Sequence, residues 1–169
     1  MLKLTNINKV FNEGTPDEKV ALGDINLHLA PGDFVTIIGS NGAGKSTMMN
    51  MISGALTPDF GTIHINGKNV TGDAEYKRAR HIGRVFQDPM AGTAPSMTIE
   101  ENLAIAYNRT KTRTLGFGVN KKKKDIYRTA LEMLSLNLEN RLNAKVGMLS
   151  GGERQALSLL MATFTKPSI

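Results

Sequence analysis

Apolar residues in the first third of the chain recur in short runs with the spacing of β-strands. Two sets alternate with polar neighbours: Leu2, Leu4 and Ile7, and then Ile25, Leu27 and Leu29. Alternation of this kind predicts two half-buried strands. The next run, residues 34–38, is continuous and rich in β-branched residues, with the turn residues Pro31-Gly32 before it and Gly39 after it. It therefore predicts a strand that is buried on both faces.

A hairpin and one more short strand complete the β-rich part of the chain. Residues 62–65 and 68–70 flank Asn66-Gly67, a pair that supplies the positive φ angles of a tight two-residue turn. Residues 82–86 form the last apolar run of strand length, and residues 45–52 have the composition of a helix.

The second half of the chain has helical spacing. Thr98 and Glu101 form a capping-box pair, which predicts the start of a helix. A second helix is predicted from residue 122 to about residue 134, and a last helix follows Ser150 and ends before Pro167. Strands followed by helices make this an α/β protein.

Composition and charge limit the possible functions. The 169 residues, 40% of them hydrophobic and 21% charged, fit one soluble domain. The chain has no cysteine, and no apolar run approaches the ~20 residues of a membrane-spanning helix. The net charge is +6, and four lysines stand together at 121–124, near Lys111, Arg113 and Phe117. This segment, residues 110–124, predicts a solvated loop rather than a nucleic-acid surface.

The clearest chemistry lies between the continuous apolar run and the helix after it. The residues there are Gly39, Ser40, Asn41, Gly42, Ala43, Gly44, Lys45, Ser46 and Thr47, which match the phosphate-loop pattern G-x-x-x-x-G-K-[ST]. Their backbone N–H groups can converge on a phosphate at the positive end of the helix dipole. Lys45 offers a charge to the β and γ phosphates, Ser46 a hydroxyl ligand to Mg²⁺, and Thr47 a contact to the α phosphate. We therefore expect the chain to bind ATP with Mg²⁺.

A second glycine-containing run precedes the last helix. Residues 149–155 have the sequence Leu-Ser-Gly-Gly-Glu-Arg-Gln, in which Ser150 and Glu153 form a capping box while Gly151 and Gly152 leave the helix terminus open to an anion. With the phosphate loop, this run strongly resembles the ATP-binding subunits of ATP-binding-cassette (ABC) transporters. The resemblance covers residues 1–169. It implies a P-loop NTPase core, a mixed sheet flanked by helices, with an antiparallel β subdomain and a helical insert.

The resemblance also implies roles for single residues and segments. Gln87 is similar to the family's glutamine that senses Mg²⁺ and the γ phosphate, which makes it a catalytic and metal candidate beside Lys45. Phe11 occupies the place of an adenine-stacking tyrosine, and phenylalanine can stack equally well. The implied segments are 1–87 for the β subdomain and phosphate-loop core, 88–150 for the glutamine loop and helical subdomain, and 151–169 for the signature helix.

The resemblance implies partners as well. In the family, the signature run closes on ATP held by a second ATP-binding subunit in a head-to-tail dimer. The implied assembly includes a separate transmembrane permease and a solute-binding protein, no nucleic acid, and a cytoplasmic location on the inner face of the membrane. Two alternatives stay open at this point: a soluble ABC ATPase that acts on nucleic acid or ribosomes, and a non-catalytic nucleotide-binding module.

The resemblance breaks at residues 166–169, where relatives continue into a central strand that carries the catalytic carboxylates, with a switch histidine beyond. No aspartate in this sequence, at 33, 59 or 88, ends an apolar run of four residues. A GTPase is also excluded, because Asn120-Lys121 lacks an aspartate at position 123. We therefore expect a truncated product that binds but hardly hydrolyses ATP, with unpaired edges beside the absent strand and a tendency to aggregate.

Overall fold

The structure, a computed structural model of the chain, describes residues 1–111 and 118–169. Residues 112–117, which include the predicted loop positions Arg113 and Phe117, lie outside the described residues. Contacts divide the chain into two compact units, Met1–Ile82 with Ser168–Ile169, and Gly83–Pro167. The segment boundaries proposed from the sequence stay a prediction.

The first unit contains a four-stranded antiparallel sheet. Its strands are β1 (Leu2–Phe11), β2 (Lys19–Leu29), β3 (Phe60–Ile65) and β4 (Lys68–Asn69), in the order β2-β1-β3-β4. The predicted alternating strands are confirmed as β1 and β2. The predicted hairpin is confirmed as β3 and β4, with positive φ angles of 51° at Asn66 and 78° at Gly67.

Two helices belong to the first unit, α1 (Lys45–Ser53) and the four-residue α2 (Glu75–Arg78). The core forms where the apolar face of the sheet meets α1. Its buried residues are Leu2, Leu4, Ile7, Leu22, Met48, Met51, Ile52, Ile63, Ile65, Val70 and Ile82. Successive residues of a strand point to opposite faces. The members of this core that lie in β1 are Leu2, Leu4 and Ile7, which are the apolar residues of the predicted alternating strand.

The predicted buried strand at 34–38 is wrong. Residues 33–40 are neither helix nor strand, and Phe34 and Ile38 expose 91% and 92% of their surface. Only Ile37 of this run packs against the core. The strand predicted at 82–86 is also not formed. A strand is stable where a neighbour pairs with its N–H and C=O groups, and within residues 1–111 and 118–169 no strand pairs with either run.

The second unit is helical. It contains α3 (Ile99–Asn108), α4 (Lys121–Glu132), α5 (Gly151–Thr163) and two short 3₁₀ helices, Leu138–Asn140 and Val146–Met148. The predicted capping box of Thr98 and Glu101 is confirmed. The helix predicted from residue 122 to about residue 134 is confirmed as α4. Its first turn contains the lysines at 121–124 and is capped by Asn120, so the predicted loop does not extend to residue 124. The core of this unit includes the fully buried Tyr127, which contacts the rings of Tyr107 and Phe164.

Candidate functional site

The loop before α1 is shaped by two glycines in the left-handed region. Gly42 has φ 85° and Gly44 has φ 80°. A Cβ atom on Gly44 would lie 2.3 Å from the carbonyl oxygen of Ala21 and 2.8 Å from Cδ2 of Leu22. No side chain fits at either distance, so only glycine allows the loop to approach the backbone of β2 this closely.

The first turn of α1 has free donors. Its N-cap is Gly44, which provides no side-chain hydrogen bond, and its first turn contains no acidic residue. By contrast α3, α4 and α5 are capped by the side chains of Thr98, Asn120 and Ser150. Among the described helices of eight or more residues, α1 alone lacks a side-chain cap. Its positive dipole end is therefore available to an anion.

Lys45 holds its ammonium group at the start of the same loop. Nζ donates to the carbonyl oxygens of Gly39 and Ser40, both at 2.7 Å. Within the loop, the Ala43 N–H donates a hydrogen bond to Ser40 O at 3.2 Å. A compact positive charge is thus held at the loop that precedes α1, and a charge in this position favours a polyphosphate.

The remaining loop residues face solvent or flank the helix start. Gly39, Ser40, Asn41, Gly42, Ala43 and Ser46 are exposed, and Thr47 is half-buried. The hydroxyl of Ser46 fits Mg²⁺, because this ion takes few protein ligands and fills its octahedron with phosphate oxygens and water. Within the described residues no group of three or more histidine, cysteine, aspartate or glutamate side chains could hold a metal ion.

Phe11 lies at the end of β1, where its Cα partner across the strand pair is Lys19. The ammonium of Lys19 lies 3.5 Å from the position that a Cβ of Gly42 would take, so this strand end lies beside the phosphate loop. The ring of Phe11 is half-buried, with the ammonium of Lys9 at 5.7 Å from its centroid. Lys19 was missed by the sequence analysis, since only the strand register brings it to the loop.

The start of α5 has the predicted capping box. The Ser150 hydroxyl accepts from the Glu153 N–H at 3.3 Å, and the Glu153 carboxylate accepts from the Ser150 N–H at 2.8 Å. Arg141 Nη1 donates to the same carboxylate at 2.6 Å. The hydrogen bond from the Ser150 N–H is the main cause that lowers the pKa of Glu153. Gly151 and Gly152 are exposed and have open space around them.

Gln87 is exposed and lies in the second unit, after an extended stretch that contains Phe86. The guanidinium of Arg84 lies 4.7 Å from the centroid of the Phe86 ring. The loop residues 39–47, Phe11 and Lys19 therefore belong to the first unit, and Gln87 and the signature residues 150–153 to the second. Within the first unit, strand pairing links Phe11 to Lys19, and the Lys19 ammonium lies beside Gly42 of the loop.

The sequence model of the ABC transporter family matches residues 22–169. The chain belongs to this family. Its ATP-binding subunits include the tyrosine transport ATP-binding protein of Clostridioides difficile, to which the chain is 41% identical over 100% of its own length and 67% of that protein. The energy-coupling factor transporter ATP-binding protein EcfA2 of Acetivibrio thermocellus is 33% identical, with 99% and 57% covered. The spermidine/putrescine import ATP-binding protein PotA of Lawsonia intracellularis is 34% identical, with 99% and 41% covered.

Solved ABC cassettes have the same fold. The dimeric post-hydrolysis state of the ATP-binding cassette MJ0796, bound to ADP and Pi, is 30% identical with a TM-score of 0.80, covering 99% of this chain and 71% of that one. The cassette MJ1267 is also 30% identical, with a TM-score of 0.74 and 66% of its chain covered. The predicted fold class, a P-loop NTPase core with an antiparallel β subdomain and a helical insert, is confirmed. No helix in the described part of this ABC chain is long and apolar enough to cross a membrane.

Proposed function

We propose that this chain binds Mg-ATP at the phosphate loop and serves as the ATP-binding subunit of a transporter with a separate permease. The observation that carries the proposal is the start of α1, where an uncapped helix terminus, a loop with two glycines at positive φ and the Lys45 ammonium coincide. A buried or capped terminus would offer no such donors.

The proposed binding mode uses contacts of the first unit. The N–H groups from Gly42 to Ser46 and the Lys45 ammonium bind the β and γ phosphates, and Thr47 contacts the α phosphate. Ser46 contributes one hydroxyl to the Mg²⁺ shell, and Gln87 is proposed as its second protein contact. Phe11 stacks on the adenine ring, a role that its position across from Lys19 supports.

The proposed assembly is a head-to-tail dimer of ATP-binding subunits. Its support is the exposed helix start at Ser150, Gly151, Gly152 and Glu153, where two glycines leave space for a neighbouring molecule. The relative MJ0796 is described as dimeric, and several relatives are transport or import ATP-binding proteins. We propose a permease and a solute-binding protein as further partners, and a peripheral place on the cytoplasmic side of the membrane.

The 169-residue polypeptide is proposed to bind ATP without appreciable turnover. Each candidate aspartate already serves its own turn or strand: Asp33 accepts from the Ala30 N–H, Asp59 from Lys9 and the Val10 N–H, and Asp88 from the Met90 N–H. A carboxylate that activates water must instead face the γ phosphate. We therefore expect this polypeptide to bind ATP and to hydrolyse very little of it.

Titration of Mg-ATP against the purified chain tests the proposal, with phosphate release followed in the same samples. Lys45→Ala is the test variant, and Lys77→Ala, an exposed lysine of α2, is the matched control. We expect saturable binding that weakens at least ~10-fold in Lys45→Ala, since a charge-assisted contact is worth roughly 1.5–3 kcal/mol. Equal affinity in both variants would refute the phosphate-loop assignment, and steady turnover would refute the non-hydrolysing state.

A further inference from the structure

The sheet of the first unit has a cavity on the face that points away from its core. The cavity has a volume of about 270 Å³ and is lined by Met1, Leu2, Lys3, Thr5, His28, His64 and Gly67. All of these residues lie in the first unit, and none belongs to the phosphate loop. The neighbours of Lys3 in β1, Leu2 and Leu4, are buried on the opposite face.

Strand register places three nitrogen-bearing side chains of this cavity in one row. Lys3 is the Cα partner of His28 on β2 and also of His64 on β3. Directly opposed residues on neighbouring strands have Cβ atoms about 5 Å apart and point to the same face. Lys3 therefore lies between His28 and His64 on one face of the sheet.

The row has the electrostatics of an anion site. None of the cavity residues is acidic. The titratable groups on this face are Lys3 of β1, His28 of β2 and His64 of β3, while β4 places Asn69 opposite His64. The amino group of Met1 donates to Leu29 O at 2.7 Å. The Thr5 hydroxyl and the Gly67 backbone add neutral hydrogen-bonding groups to the lining.

One polar atom at this face has no partner. Nδ1 of His64 is buried and makes no hydrogen bond. A metal ion is a poor candidate, because the row offers only two imidazoles beside a lysine and the cavity lining contains no carboxylate.

The geometry points to a binding site for a small dianionic group, a phosphate or sulfate, held by Lys3 between His28 and His64. The site is separate from the phosphate loop, so it does not rest on the proposed nucleotide binding. The ligand chemistry is shared by free phosphate esters and by phospholipid headgroups.

Sulfate is the probe for the test, since it is a tetrahedral dianion of the proposed ligand class. The titration uses the 169-residue chain in a Lys45→Ala background without an amino-terminal tag, and the amide signals of Lys3, His64 and Gly67 are followed by NMR. We expect saturable shifts of these amides as sulfate is added. Absent or non-saturable shifts would overturn the proposal.

Substitutions locate the site. Lys3→Gln and, separately, His64→Gln should weaken sulfate binding at least ~10-fold. Lys68→Gln is the matched control, because Lys68 lies in the same sheet but outside the cavity lining. The amide spectrum of each variant reports whether the sheet is folded, and His28→Gln replaces any variant that is not. Unchanged affinity in the folded Lys3→Gln chain would overturn the assignment.

Two further arms identify the source of the anion. One arm titrates glycerol 3-phosphate, and the other measures sedimentation with vesicles of phosphatidate in phosphatidylcholine against phosphatidylcholine alone. Binding of the soluble ester without vesicle recruitment identifies a free phosphate ester. Recruitment to phosphatidate vesicles that is lost in Lys3→Gln identifies a headgroup. Failure of both arms, with sulfate binding also absent, leaves the cavity without a ligand and refutes the site.

Discussion

Nη1 of Arg78 donates to Met51 O at 2.6 Å, and thereby joins α2 to the last turn of the helix that carries the phosphate loop. The same nitrogen lies 3.2 Å from Ile52 O, and the other two guanidinium nitrogens donate to the carbonyl oxygens of Asp73 and Thr71. Arg78 is fully buried, and burial lowers its pKa. A cation at the C-terminal end of α1 stabilises the helix dipole, so Arg78 supports the phosphate loop from the far end of the helix.

Replacement of this guanidinium should destabilise the first unit. We expect Arg78→Met to lower the free energy of unfolding by about 3 kcal/mol, because several buried carbonyl groups lose their donors. Arg80→Met is the matched control, since Arg80 is exposed two residues away, and it should change stability by less than about 0.5 kcal/mol. Chemical denaturation followed by circular dichroism measures both. Equal stabilities would show that the carbonyl groups find other donors.

The close approach of Gly44 to β2 predicts a strong effect of a single methyl group. Gly44→Ala places a Cβ 2.3 Å from Ala21 O at a φ of 80°, so we expect a large loss of both nucleotide affinity and thermal stability. Gly72→Ala is the comparison, because Gly72 is exposed and an added methyl group there meets open space. It should leave affinity unchanged and change stability by no more than ~1 kcal/mol. Calorimetry of both variants with and without Mg-ATP makes the distinction.

Lys19 should contribute to nucleotide affinity through its charge beside Gly42. We expect Lys19→Gln to weaken Mg-ATP binding about 3- to 10-fold and to reduce the salt dependence of binding, while the fold is unaffected because Lys19 is exposed. Lys19→Arg should retain most of the affinity. An unchanged affinity in Lys19→Gln at low ionic strength would exclude an electrostatic contribution from this residue.

The sequence predicted the local features of this fold and missed those that depend on distant neighbours. The Asn66-Gly67 turn, the capping box at Ser150 and the phosphate loop are set by residues within a few positions of one another, and the structure contains all three. The predicted burial of residues 34–38 is wrong, because an apolar run does not specify the strand that pairs with it. The burial of Arg78 was not predicted, because neighbouring residues in a charged segment do not distinguish a buried arginine from an exposed one.

Tyr127 predicts a loss of stability at high pH. Burial, followed by electrostatic repulsion from Tyr107 and Glu100, raises the pKa of Tyr127 to about 12, against about 10 in an unfolded chain. The stabilisation of the folded state by the neutral Tyr127 is therefore fully present below pH 10 and is lost between pH 10 and 12. The loss in unfolding free energy is on the order of 3 kcal/mol at the end of that range.

Denaturant unfolding of the second unit at pH 9 and pH 11.5 measures this effect. Tyr127→Phe should flatten the decline, and Tyr76→Phe, at a side chain that is 68% exposed, should not change it. The hydrogen bond with Lys111 lowers the pKa of Tyr107. Tyr107 therefore changes the unfolding free energy with pH in the direction opposite to Tyr127. The difference between the wild-type and Tyr127→Phe curves isolates Tyr127, and parallel curves would show that its hydroxyl is not desolvated in solution.

The exposed side chains of residues 34–38 predict the behaviour of this polypeptide in solution. Phe34 and Ile38 are almost fully exposed, in an extended segment with which no strand pairs within the described residues. Exposed apolar segments of this kind promote association between chains. The double substitution Phe34→Ser and Ile38→Ser should therefore reduce aggregation, while it changes the unfolding free energy by no more than about 0.5 kcal/mol.

Ile37→Ser provides the control for this experiment, because Ile37 alone of the run packs against the core of the first unit. It should cost about 1–3 kcal/mol of stability, since a polar group replaces a half-buried aliphatic one, and it should not improve solubility. Light scattering on heating reports aggregation, and denaturant unfolding reports stability. Loss of stability in the double variant equal to that of Ile37→Ser would mean that Phe34 and Ile38 are covered in solution by a neighbouring strand, in contradiction to the exposure seen here.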